Sequence, residues 1–209
     1  MTFDLDYLLS LEEVLFLKDT LQEVYSILEV GPGYGRTCHS ILSIFENVQE
    51  YVVIDLKEML NISRQYLKRV LDQKDFEKIT FVDVDSLHEN NKIFDLVINI
   101  DSMQEMDGKV VQNYLDFIDN KAMRFYTKNT VGKFDPTIFG WEKTQNSEMA
   151  LSSGILKDII NIFCPKELSR AQKKYLEKFC PSKIWELEKH STSLPWSHYY
   201  QALYTKILS

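Results

Sequence analysis

Apolar positions along this chain fall into two periods, and the alternation between them predicts its elements. Tyr7, Leu11, Val14, Leu17, Leu21 and Val24 recur at spacings of three and four, which predicts an amphipathic helix over residues 5–25. Ser10 with Glu13 has the form of a capping box at its start. A short apolar run, Ile27-Leu28-Glu29-Val30, then suits a buried parallel strand. Further runs follow at Tyr51–Asp55, Ile79–Asp83, Phe94–Ile100 and Met123–Lys128. Helical stretches separate them: Thr37, Ile41, Leu42 and Phe45; then Met59, Leu60, Leu67, Val70 and Leu71; then Val110, Val111, Tyr114, Leu115 and Ile118, with Asp107 as cap. Strands alternating with helices predict an α/β fold with a doubly wound parallel sheet.

The last third of the chain is less regular. Residues 129–182 are long for a connection, and such connections tend to be lids or binding loops, so this segment is read as an acceptor-side insertion. Within it, Phe134, Pro136, Phe139 and Trp141 fall in a loop, and a helix is predicted through Met149, Leu156, Ile159, Ile160 and Phe163. Pro165 should open a second helix as its first residue, carrying Leu168, Ala171, Tyr175 and Phe179. Lys183–Glu188 and Tyr199–Ile207 read as an antiparallel strand pair joined by a loop with Pro195 and Trp196.

Composition narrows the function classes. At 209 residues the length fits one domain, taken as 1–209. A formal net charge of −7 argues against nucleic acid as partner, because a phosphate-backbone binder shows a basic patch or stripe. Cys38, Cys164 and Cys180 lie far apart with no metal spacing, which points to free thiols in a reducing compartment. The acidic start, Asp4-Leu5-Asp6, makes a poor signal peptide, and no apolar run approaches the roughly 18 residues of a membrane span. A cytoplasmic location is the expectation.

The chemistry concentrates in Glu29-Val30-Gly31-Pro32-Gly33-Tyr34-Gly35-Arg36. Glycines here suit a turn whose backbone passes close to a ligand. The dinucleotide fingerprint would need glycine where Arg36 stands, and no Gly-Lys-Ser or Gly-Lys-Thr makes a phosphate loop. Glu29 lies two residues before the first glycine, where a carboxylate could receive a cationic ammonium group. Asp55 ends the second strand 20 residues past Gly35, the distance at which an acid meets a ribose hydroxyl pair. Asp101-Ser102-Met103-Gln104-Glu105-Met106 follows the fourth strand, at the sheet end where ligands bind.

The acid-x-Gly-x-Gly-x-Gly stretch resembles motif I of the class I methyltransferases, which bind S-adenosylmethionine (SAM). Together with the strand ending in Asp55 and Phe94–Met106, it is similar to the sugar O-methyltransferases of bacterial polysaccharide and natural-product pathways, over residues 26–130. The resemblance implies a seven-stranded sheet of order 3-2-1-4-5-7-6 with the last strand antiparallel. It implies SAM contacts from Glu29, Gly31, Pro32, Gly33, Tyr34, Gly35, Asp55, Leu56, Asp85, Ser86, Asn99 and Ile100. Asp85 is preferred over Asp83 for the adenine. The acceptor would be a small molecule, a sugar or glycoside, leaving the oligomeric state open with a homodimer among the options.

Transfer to a hydroxyl needs a base near the site. Glu105 and Asp101 are the candidates, Gln104 an orienting hydrogen bonder, and His190 and His198 the alternatives. No metal ligand set is assigned. Family members commonly carry more sequence before motif I than the helix that precedes Ile27. Competing readings are methyl transfer to another small natural product or a peptide, a non-catalytic SAM-binding or partner-binding module, and, more distantly, a nicotinamide dehydrogenase.

Overall fold

A computed structural model of the chain describes residues 4–89 and 91–207, and every apolar run named above is a strand in it. The strands are β1 (Ser26–Val30), β2 (Glu50–Asp55), β3 (Ile79–Asp83), β4 (Phe94–Ile100), β5 (Ala122–Thr130), β6 (Trp185–Thr192) and β7 (Tyr199–Lys206). The helices are α1 (Leu5–Leu21), α2 (Arg36–Ile44), α3 (Lys57–Val70), α4 (Gln73–Phe76), α5 (Gly108–Lys121), α6 (Gln145–Ser152) and α7 (Pro165–Phe179). The seven strands lie in the order β3-β2-β1-β4-β5-β7-β6, as expected from the sequence. Pairings of β1 with β2 and β4, and of β2 with β3, are parallel. The β6–β7 pair is antiparallel. No helix among the described residues is long and apolar enough to cross a membrane. The chain divides into two compact units: residues up to Asn99 with Lys121–Arg124, and Ile100–Asn120 with the residues from Phe125 onward.

In the first unit, every residue of β1 is buried, which accounts for its continuous apolar reading. The N-terminal helix starts at Leu5 but differs from expectation in its cap and at its C-terminal end. It stops at Leu21 rather than residue 25, and its cap is Asp4, whose carboxylate accepts from the Asp6 amide at 2.9 Å. Ser10 and Glu13 do not form a capping box, since both lie inside the helix and are buried. Ser10 donates to Ser40 at 2.8 Å, and Glu13 holds Arg36. Leu11, expected in the core, is 46% exposed, whereas Phe16 is buried. α3 buries Leu60 and Leu67 but leaves Val70 exposed at its end. The one-turn α4 went unread, although Asp72 caps it by accepting from the Asp75 amide at 2.8 Å.

In the second unit, Asp107 starts α5 as predicted, its carboxylate accepting from the Lys109 amide at 2.8 Å. Val111, Tyr114, Leu115 and Ile118 are buried while Val110 is exposed. β5 runs to Thr130, longer than its apolar signature, because its second half carries polar residues that pair inside the fold. Tyr126 donates to Gln201 at 2.8 Å, Tyr175 to Thr127 at 3.1 Å, and Asn129 to Thr127 at 3.0 Å.

The helix expected through Met149 to Phe163 is only α6, ending at Ser152. Ser153 is extended and Gly154 left-handed at φ 72°, and the chain then pairs with Lys133 through Lys133 N–H to Asp158 and Ile160 N–H to Lys133, both 2.8 Å. α7 opens on Pro165 as predicted and buries Ala171, Tyr175 and Phe179. With Tyr175 bonded to Thr127 and Tyr204 donating to the Leu176 carbonyl, this helix covers the sheet.

Candidate active site

The first strand delivers its C-terminal end into a turn that only glycine fits. Gly31, Gly33 and Gly35 have φ of 70°, 58° and 100°, all in the left-handed region that side chains resist. Gly31 donates to the Ile54 carbonyl at 2.8 Å, and Gly35 to the Pro32 carbonyl at 3.0 Å, so the turn is pinned to β2 and closed on itself. The glycines differ in surroundings. A Cβ at Gly35 would lie 2.8 Å from Leu67 Cδ1, so this glycine lets α2 pack against α3. A Cβ at Gly33 would meet nothing within 4 Å, so its flank is open for a ligand.

Asp55, at the end of β2, reaches this turn. Its carboxylate accepts from the Leu56 amide at 2.8 Å and from the Gly33 amide, and burial nonetheless raises its pKa. Leu56 is 59% exposed at the head of α3. At the end of β3, Asp83 stands in register with Asp55 and accepts from the Asp85 amide at 3.1 Å. Asp85 itself is exposed and Ser86 half-buried on the 3₁₀ turn Val84–Glu89. Asn99 is buried on β4 and donates to the Val30 carbonyl at 3.0 Å, and Ile100 follows it at 7% exposure. The structure therefore gathers the glycine turn, Asp55, Asp83 and Asn99 at the C-terminal ends of four neighbouring strands, where open α/β sheets bind ligands.

Glu29 lies deeper than its motif position suggests. It is 2% exposed and accepts from the Tyr51 hydroxyl at 2.8 Å. Burial pushes its carboxyl up to about 7, against the lowering effects of Tyr51 and Arg36. Arg36, standing where a dinucleotide site has glycine, reaches back to α1, donating to Glu13 at 2.9 Å and to the Asp6 carbonyl at 2.6 Å. Tyr34 is joined at the turn by Tyr66 and Tyr7, which carry no motif in the sequence. Tyr34 meets Tyr66 edge-on at 5.0 Å, Tyr66 bonds Tyr7, and Tyr7 bonds His39 at 2.7 Å. Burial pushes the Tyr34 hydroxyl up to about 12.

The second unit holds the groups that follow β4. Asp101 adopts φ 63°, rare for a side-chain-bearing residue, with its amide fixed on the Lys128 carbonyl at 2.8 Å. Gln104 is clamped from several sides. Its Oε1 accepts from the Thr130 amide at 2.9 Å, its Nε2 donates to Tyr199 at 3.3 Å, and its amide donates to Asn129 at 3.2 Å. Lys133 and Ser153 both donate to its carbonyl, at 3.0 and 2.8 Å. The Tyr199 hydroxyl also bonds Asp101, and burial followed by the Asp101 charge pushes it up to about 12.

Glu105, by contrast, is exposed. His198 joins the cluster through its ring, 5.1 Å from Tyr199, and burial lowers its pKa. His190 does not join it: exposed on β6, it bonds Tyr200 at 2.6 Å. Tyr199, Asn129 and Lys133 were invisible as site residues because they come from distant strand ends that carry no motif. Among the described residues no group of three or more His, Cys, Asp or Glu could hold a metal ion.

Strand order, glycine turn and strand-end acids together define the class I methyltransferase fold. The methyltransferase domain of bacterial CtHen1-C superposes with a TM-score of 0.69 at 13% identity, over 98% of this chain and 100% of that one. Mitomycin 7-O-methyltransferase MmcR gives 0.63 at 10% identity, over 97% of this chain and 54% of that one. Human N-acetylserotonin methyltransferase, solved in complex with SAM, gives 0.61 at 13%, over 95% and 52%. No protein-family model and no curated protein matches the chain.

Proposed function

We propose that this protein transfers a methyl group from SAM to a hydroxyl of a small acceptor, a sugar or glycoside. The observation that carries the reading is the Gly33 corner: a left-handed glycine with open space on its flank, its amide on an acid at the end of β2. That geometry admits a ligand against the backbone and offers Asp55 to a ribose hydroxyl pair. The SAM-dependent neighbours share the fold, and the acidic charge of −7 disfavours nucleic acid as acceptor.

When bound, SAM supplies an activated methyl on a sulfonium. Gly31–Gly35 would cradle it, Asp55 would hold the ribose, Asp85 or Asp83 and Ser86 would flank the adenine, and Leu56 would offer it an apolar surface. Glu29, buried beneath the turn and bonded to Tyr51, would support the turn from below. On the acceptor side the weight moves from Glu105 to Asp101 as the base. A base must be held near the hydroxyl it deprotonates, and Asp101 is fixed by backbone and by Tyr199, whereas Glu105 is exposed. Gln104, locked on Thr130 and Tyr199, keeps that corner rigid. The segment 131–164 supplies the acceptor-side cover, while α7 belongs to the sheet's own covering layer. Incubation with SAM and a panel of glycosides, read by mass spectrometry for a single added methyl, tests this. Methylation of peptides or phenols alone would point to the other acceptor classes.

A further inference from the structure

The second unit carries aromatic rings that the catalytic cluster does not use, and they form a continuous track. Phe134 meets Phe139 edge-on with centroids 5.5 Å apart, and Phe139 meets Trp141 at 5.1 Å and Phe163 at 5.7 Å. Inward, Phe134 meets His198 at 5.6 Å, and His198 meets Tyr199 at 5.1 Å. The Tyr199 hydroxyl ends the track on Gln104 and Asp101.

Folding hides large rings, yet Trp141 is 60% exposed and Phe163 70%. Core packing does not explain an exposed aromatic patch that runs into polar groups, whereas ligand binding does. We infer that this track is the acceptor subsite and that it stacks against the apolar face of a pyranose ring. A pyranose presents one face of C–H bonds and a rim of hydroxyls. The electron-rich ring faces attract such C–H dipoles, and the polar end of the track — Asp101, Gln104, Lys133 and Tyr199 — offers donors and acceptors for the rim.

This inference rests on the methyl-transfer reading and locates the acceptor of that reaction. Saturation-transfer NMR on the intact chain tests it, using methyl pyranosides of gluco, galacto and manno configuration beside catechol. At least one pyranoside should bind saturably, with saturation concentrated on the C–H protons of one ring face. Trp141→Ala and Phe163→Ala should each weaken that binding about tenfold, the factor that 1.4 kcal/mol represents. Binding of catechol but of no pyranoside, or equal pyranoside binding by wild type and both variants, would overturn it. Calorimetric titration of S-adenosylhomocysteine into the same samples keeps the two readings apart. Cofactor binding without pyranoside binding refutes the subsite alone, and pyranoside stacking without cofactor binding upholds sugar stacking on the track but refutes methyl transfer and with it the acceptor assignment.

Discussion

Alanine at Gly35 and at Gly33 should have opposite consequences, because the two glycines are needed for different reasons. At Gly35 the backbone sits at φ 100°, and a Cβ would lie 2.8 Å from Cδ1 and 2.9 Å from Cγ of Leu67, which is fully buried. Backbone strain of about 1–3 kcal/mol adds to overpacking of about 1–3 kcal/mol, giving roughly 2–6 kcal/mol lost from the fold. For a chain of this size each kcal/mol moves Tm by roughly 2–4 °C. At Gly33 the φ of 58° lies in the left-handed region that side chains enter at a cost of about 1–2 kcal/mol, and nothing stands within 4 Å.

Gly33→Ala should therefore melt within a few degrees of wild type but lose S-adenosylhomocysteine binding, since the new methyl fills the ligand's space. Gly35→Ala should melt far lower even without ligand. Thermal unfolding with and without S-adenosylhomocysteine, at several concentrations, separates the two effects through the ligand-dependent rise in Tm. A Gly33→Ala protein with a wild-type ligand shift, or a Gly35→Ala protein with wild-type Tm, would refute the assignment of packing to one glycine and binding to the other.

Further variants probe other groups. Burial raises the Glu29 carboxyl from its ordinary range to about 7, so the folded state holds that proton more tightly than the unfolded chain. Its contribution is favourable below the unfolded value of 4.5 and is lost as pH rises through about 7, so Glu29→Gln should raise Tm at pH 8 and leave it unchanged at pH 4; equal effects at both would contradict this. Arg36→Met should cost about 3–5 kcal/mol by removing the guanidinium from the buried Glu13 carboxylate, and adding Glu13→Gln should recover part of it in a denaturant melt. Tyr199→Phe and Asp101→Asn should lower kcat at least tenfold while leaving S-adenosylhomocysteine affinity unchanged; unaltered turnover in both would remove this cluster from the chemistry.

The middle of the sheet was legible because β1, β2 and β4 are buried on both faces and so read as apolar runs. The glycine turn and the strand-end acids were legible too, because glycine spacing and strand ends are local signals. What escaped came from tertiary contact. Ser10 and Glu13 mimic a cap but are partners of Ser40 and Arg36, and the 153–164 stretch carries helical spacing yet is drawn out by pairing with Lys133. The acceptor-side cluster joins Asp101, Gln104 and Lys133 to Tyr199 near the far end of the chain, a juxtaposition that no spacing encodes.

The central claim is that the Gly33–Asp55 corner binds the adenosyl cofactor. Calorimetric titration of S-adenosylhomocysteine into wild type and Asp55→Ala tests it most directly. Saturable one-to-one binding to wild type is expected, weakened by the 1.5–3 kcal/mol of charged hydrogen bonding, about tenfold to a hundredfold, in the variant. Equal affinity in both proteins, or no binding to wild type, would contradict it.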